Sequence, residues 1–225
     1  MHMLQAACTA AQRIEHAEAT ASGNKSRDIA YAGHDVPVAI VMALTALEAW
    51  GNEIVADFTA QPGSHRLPGG AAISAARIEL LDDFLRAKAG GASERFKQIA
   101  LLLDQKPRTD LKCWKELKLL QNLRNSLVHY KPKWKPEHSL EQTSRQQELE
   151  VFREIEKVIG GRARGYNPVL ADYPHALFTA GCARWAIGTT RKFAAHFAME
   201  MKMRNPFEDY AASASAPRAS HSSGT

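Results

Sequence analysis

The stretch Leu117 to Pro136, LKLLQNLRNSLVHYKPKWKP, constrains the fold more than any other part of the chain. Wound at about 100° per residue, Cys113, Leu117, Leu120, Leu123, Leu127 and Val128 gather on one side, which predicts a helix with a buried face. Arg124 falls inside that face, about 40° from Leu120. An unpaired buried guanidinium costs several kcal/mol, so the fold must bring it a partner. His129 follows on the same stretch, but on a straight helix it points about 140° away from Arg124. The two converge only if the last turn unwinds, if the arginine arm wraps round, or if a second copy of the chain completes the site. Pro132 disfavours helix at Lys131, which favours unwinding near Tyr130.

A second polar intrusion lies upstream. From Val38 to Phe58 the residues Ile40, Leu44, Leu47, Gly51, Ile54, Val55 and Phe58 share one helical face, with Asp35 as a natural N-cap and Pro37 tolerated in the first turn. Glu53 and Asp57 point the other way. Glu48 sits on the apolar face, with Asn52 beside it one turn later. Two opposite charges intruding on two apolar faces are most simply explained by each other, so Glu48 is expected to pair with Arg124 across the bundle. In the alternative, Glu48 merely neutralises a structural arginine and no catalysis follows.

Further helices are expected over Leu4 to Ala21, over Ala71 to Ala89 (Ile73, Ala76, Leu80, Leu81, Phe84, Leu85), and from Ser93, with Phe96, Ile99, Ala100 and Leu103 inward. Thr109 or Asp110 caps the central helix. Ser139 to Ile159 reads as a charged helix with a narrow Leu149, Phe152, Ile155, Ile159 stripe. Ala171 to Met203 carries Phe178, Cys182, Trp185, Thr189, Phe193 and a core histidine, His196, on one face. Trp50, Trp114 and Trp185 are read as packing residues. No run alternates as a strand would. The expected fold is therefore all-α, an up-and-down helical bundle with extra helices. Residues 1–34 form an N-terminal helix packing on a 35–205 bundle that includes a charged insertion at 137–165, and 206–225 form a disordered tail.

With 225 residues, 45% of them apolar and 24% charged, the chain can bury a full core. Cys8, Cys113 and Cys182 are odd in number and scattered without ligand spacing, which indicates neither a disulfide scaffold nor a zinc site and fits a reducing cytoplasm. No metal and no cofactor is expected. The apolar run Val36 to Leu47 is shorter than the roughly 20 residues of a membrane span, and MHMLQAAC does not read as a signal peptide. The net charge of +5 permits an anionic partner.

A group of near-neutral pKa can move protons, and a fixed cation can stabilise a crowded anionic transition state such as a phosphorane. Histidine suits the first role and arginine, with its forked donors, the second. His129 and Arg124 are the candidates, and Asn125, one turn before His129, can hydrogen-bond the imidazole or a phosphate oxygen. An arginine and a histidine at such a spacing are common by chance, as Arg27 with His34 and Arg191 with His196 show. Only Arg124 adds an apolar-face position, an adjacent amide and an exit turn. After Tyr130 the exit loop interleaves Lys131, Lys133 and Lys135 with Trp134, an arrangement able to clamp a backbone and stack a base. Solvated lysines at a helix end are the plainer reading.

RNSLVHY after a Leu-rich helix resembles the Arg-x4-6-His motif of the HEPN superfamily, the higher eukaryotes and prokaryotes nucleotide-binding domain. The upstream ALTALEAWGNEIV is similar to the glutamate-bearing helix of many bacterial members, and ARWAIGTTRKFAAHF looks like their closing helix. The resemblance spans roughly Asp35 to Met203, with Ser139 to Ile159 as an unmatched insertion. It implies an all-α bundle that forms a homodimer in which two motifs face each other across a cleft. Many members are metal-independent endoribonucleases acting as toxins, opposed by an antitoxin protein, or in phage defence. Others have lost catalysis and only bind a nucleotide, an RNA or a partner protein.

Overall fold

The computed structural model describes residues 2–20, 34–60, 74, 76–80, 91–128, 150–151, 153–159 and 177–208. Five longer helices organise them: α1 (His2–Thr20), α2 (Asp35–Ala60), α3 (Ala92–Leu102), α4 (Lys112–Val128) and α5 (Ala180–Met201). Residues 76–80, 150–151 and 153–159 are also helical, and no strand occurs among the described residues. The all-α bundle expected from the periodicity is the architecture found. α2 is the central element and touches α1, α3, α4 and α5, while α5 also packs on α1 and α4.

The core forms because each helix brings its apolar stripe to the same interior. Leu4, Ala7, Ala10 and Ile14 of α1, Ile40, Leu44 and Leu47 of α2, and Leu117, Leu120 and Leu123 of α4 are all essentially removed from water. α1 shares this core through its apolar stripe. Its far end is tied to α5 by polar contacts: Glu18 Oε1 accepts from the Ala180 N–H at 2.9 Å, and Arg184 donates to Glu15 at 2.8 Å. An aromatic cluster fills the middle. Phe96 stands edge-on to Phe193 and Phe197 at centroid distances of 5.0 and 4.8 Å, Trp114 meets Phe193 at 4.9 Å, and Trp50 meets Phe96 at 5.3 Å. Trp50 and Trp114 are thus packing residues, as expected, and Trp185 is half-buried against the same core.

The 24-residue stretch Asp35–Phe58 is long and apolar enough to cross a membrane by length and composition, well beyond the run visible in Val36 to Leu47. In the bundle, 56% of its most apolar window is buried against the other helices.

Several local expectations are corrected. Asp35 lies inside the first turn of α2 rather than before it, and its carboxylate is gripped by Arg13 through Nε and Nη2 at 2.9 and 2.8 Å. α4 is flanked by Leu111, whose carbonyl accepts from the N–H groups of Trp114 and Lys115, so neither Thr109 nor Asp110 caps it. Val128 is 53% exposed because the end of α4 runs clear of its neighbours, and Leu80 is exposed while Ile78 is buried in its place. Asn52 faces solvent instead of accompanying Glu48. Phe207, beyond the expected tail boundary at Pro206, is buried and stands 6.2 Å from Trp50, its N–H bonded to Asn205 Oδ1 at 3.1 Å. His196 is half-buried, with Nε2 3.2 Å from Glu200 Oε1 but off the hydrogen-bonding line. Leu149, Phe152, the greater part of the 137–165 insertion and residues 209–225 lie outside the described residues, and Ile155 of the expected stripe is fully buried.

α3 ends in a Schellman motif. Gln105 N–H bonds Ala100 O at 2.9 Å and Asp104 N–H bonds Leu101 O at 3.1 Å, with Asp104 at φ 55. At its start, Gly91 and Ser93 receive the Gln121 amide from α4: Oε1 accepts from Ser93 N–H and Oγ at 3.3 and 3.0 Å. A Cβ on Gly91 would lie 2.2 Å from Gln121 Nε2. The glycine is required by that close approach, since its backbone is extended at φ −91.

Two predictions follow from the packing. Gly91→Ala displaces the Gln121 amide and lowers stability by about 1–2 kcal/mol. In that background Gln121→Ala costs measurably less than in the wild type, which thermal unfolding of the two single variants and the double variant will show, and strict additivity would contradict the contact. Cys182 is fully buried, and burial pushes its thiol up to about 12. Its raised pKa contributes stability that is complete below the free-thiol value near 8.5 and is lost as pH rises toward the folded value. Alkylation by iodoacetamide at pH 8 should therefore leave Cys182 unmodified until denaturant is added, as read by mass spectrometry.

Candidate functional site

Glu48 and Arg124 meet where α2 and α4 pack. Leu44 and Leu47 flank the glutamate and Leu120 and Leu123 flank the arginine, all four fully buried, so the two polar side chains are delivered to the same seam by apolar packing on either side. Arg124 Nη2 donates to both carboxylate oxygens of Glu48, each at 2.7 Å. The side chains retain 21% and 22% exposure, which places the pair at the rim of the core rather than within it. In such a setting the charge-assisted bonds outweigh the desolvation cost more readily than in a dry interior.

The rest of the guanidinium is only partly engaged. Nη1 donates to Asn125 Oδ1 at 3.2 Å, and Nε is buried without a partner among the described residues. Asn125, expected to face His129 or a phosphate, is turned toward its neighbour Arg124. Nη2 serves both carboxylate oxygens and Nη1 serves Asn125, so the donor left for a further acceptor is the second N–H of Nη1. Glu48, Arg124 and Asn125 are therefore brought together. His129, Tyr130, Lys131, Lys133, Trp134 and Lys135 lie outside the described residues, beginning immediately after the last residue of α4, Val128.

Two neighbours were not singled out from the sequence. Arg95 of α3 lies across α2, its Nη1 donating to the Glu48 carbonyl oxygen at 3.3 Å. On the way it passes close to Gly51, where a Cβ would stand 3.0 Å from Arg95 Cδ. The available signal was Gly51 itself, a helix-weakening residue three positions after Glu48 on an otherwise apolar face. Glu116 is the other: it is buried on α4, with Lys112 Nζ 3.5 Å from its carboxylate, rather than lying on the solvated face. Lys112, Lys115 and Lys118 are exposed, as are Lys106 and Arg108 in the approach to α4.

No group of three or more His, Cys, Asp or Glu side chains suited to a metal occurs among the described residues. What the arrangement offers chemically is a half-buried, oriented guanidinium with a free donor, beside the helix end that leads into His129.

Removing one partner leaves a half-buried charge unpaired, so Glu48→Gln should destabilise the protein by about 1–3 kcal/mol, and Arg124→Met in the same chain should recover most of that loss. Urea unfolding of the two single variants and the double variant measures this; independent effects would mean that the pair does not exist in solution. Comparisons of the chain with family models, with curated proteins and with solved structures found no match.

Proposed function

We propose that this chain is a metal-independent endoribonuclease of HEPN type, a cytoplasmic enzyme active as a homodimer. The observation that carries the reading is the Glu48–Arg124 pair: a guanidinium on an apolar helix face, fixed by both oxygens of one carboxylate at the rim of the core. Arg124 would donate to the non-bridging oxygens of the scissile phosphate and stabilise the phosphorane as charge accumulates there. His129 would take the 2′-hydroxyl proton or protonate the 5′ leaving oxygen, giving a 2′,3′-cyclic phosphate and a free 5′-hydroxyl. Glu48 holds the guanidinium, and Asn125 steadies Nη1. The two motifs of a dimer supply both halves of the proton transfer, which removes the need for Arg124 and His129 of one protomer to overcome their separation around the helix. Tyr130, Lys131, Lys133, Trp134 and Lys135 would grip the RNA backbone and stack a base beside the cut.

The cellular role proposed with this chemistry is a toxin or phage-defence effector held in check by an antitoxin protein. The test is incubation of the purified protein with RNA in EDTA. Wild type should cleave, and His129→Ala and Arg124→Ala should each lose about 10²-fold or more in rate. Intact RNA with the wild type would leave the module that only binds as the better reading. Expression of the wild type should arrest growth and Arg124→Ala should relieve it; unhindered growth without any antitoxin would contradict the toxin role.

A further inference from the structure

We propose that Arg95 is a second anion-binding cation of this site, so that Arg95 and Arg124 together form a subsite for one phosphodiester of a bound RNA strand; this rests on the RNA reading above. The argument begins with charge. Among the described residues Arg124 is matched by Glu48, but no carboxylate pairs with Arg95. Its one hydrogen bond among the described residues goes to the Glu48 carbonyl oxygen, which already accepts the helical N–H bond from one turn further along α2. That contact is therefore supplementary and neutralises nothing. Two guanidinium groups and one carboxylate leave a net charge of +1, which the single negative charge of a phosphodiester would cancel.

Geometry points the same way. Both guanidinium groups converge on a single residue, Arg124 on the side chain of Glu48 and Arg95 on its main chain. Both have their Nε buried, so a phosphate would be met by their Nη groups. Of the five N–H donors that each guanidinium carries in its planar fork, Arg124 shows three hydrogen bonds among the described residues and Arg95 one, so Arg95 keeps the larger share for phosphate oxygens. The Arg95 arm passes close over α2 at Gly51, where a Cβ would stand 3.0 Å from Cδ.

The test uses the full chain and a fluorescent 2′-O-methyl oligoribonucleotide of about ten nucleotides, which lacks the attacking hydroxyl and so reports binding without cleavage. Each phosphate contact to a single strand contributes about 0.7 to the slope of log K against log salt. Arg95→Gln should flatten the slope by about that amount and weaken binding about tenfold at physiological salt. Arg95→Lys, which keeps the charge, should keep the slope while losing part of the affinity. Circular dichroism identifies a variant that has not folded, and Arg95→Lys against wild type then carries the comparison: an unchanged affinity for this variant would show that the fork is not used. If Arg95→Gln weakens binding with no change of slope, Arg95 is a structural residue and the subsite is overturned, while the nuclease reading stands or falls on the His129→Ala cleavage assay. No binding by wild type overturns the subsite outright.

Discussion

The bond between Arg124 and Glu48 is the constraint around which the described structure is arranged. A guanidinium placed among Leu120 and Leu123 is tolerable only with a carboxylate opposite it, and the carboxylate is tolerable among Leu44 and Leu47 only for the converse reason. The pair therefore fixes the relative register of α2 and α4: sliding one helix past the other by a turn would strand both charges. Apolar packing supplies most of the stability of the bundle, through the aromatic cluster of Trp50, Phe96, Trp114, Phe193 and Phe197, but such packing tolerates repacking and does not by itself define one alignment.

The other polar contacts of the same region work with that register. Gln121, one turn before Arg124 on α4, bonds Ser93 at the start of α3. Arg95, one turn further along α3 than Gly91, bonds the main chain of Glu48. The three helices α2, α3 and α4 are thus joined in a closed set of polar links, of which the Arg95 link passes close to Gly51 and the Gln121 link close to Gly91. This seam runs along the core's edge toward the end of α4, where Val128 emerges into solvent and the chain continues to His129. A site built this way has its cations held by packed helices rather than by loops, which is the condition for electrostatic preorganisation.

The helical bundle was legible in the sequence because periodicity reports burial directly, and the Glu48–Arg124 pair was legible because both residues break that periodicity with opposite sign. Arg95 was not legible for the opposite reason: it sits at an edge position of α3, where an arginine is ordinary, and only a glycine on a different helix marks its path. Gln121 and Glu116 were overlooked because α4 buries a wider arc near its N-terminal half, where Trp114 also turns inward, than the leucine stripe alone suggests. The Asp35 cap failed because a long-range partner, Arg13, competes for the carboxylate. Phe207 fell on the wrong side of the tail boundary because one aromatic anchor in a polar, small-residue segment carries no periodic signal.

The central claim is that the Arg124 guanidinium is held at the edge of the core by Glu48 with its Nε–H withdrawn from solvent. Arginine side-chain nitrogen NMR on labelled protein reads this directly, through the exchange rate of each Nε proton with water. The account predicts an Arg124 Nε–H that exchanges far more slowly than those of exposed arginines such as Arg184, and that loses its protection in Glu48→Gln. An Arg124 signal exchanging as fast as Arg184, unaffected by that substitution, would contradict it.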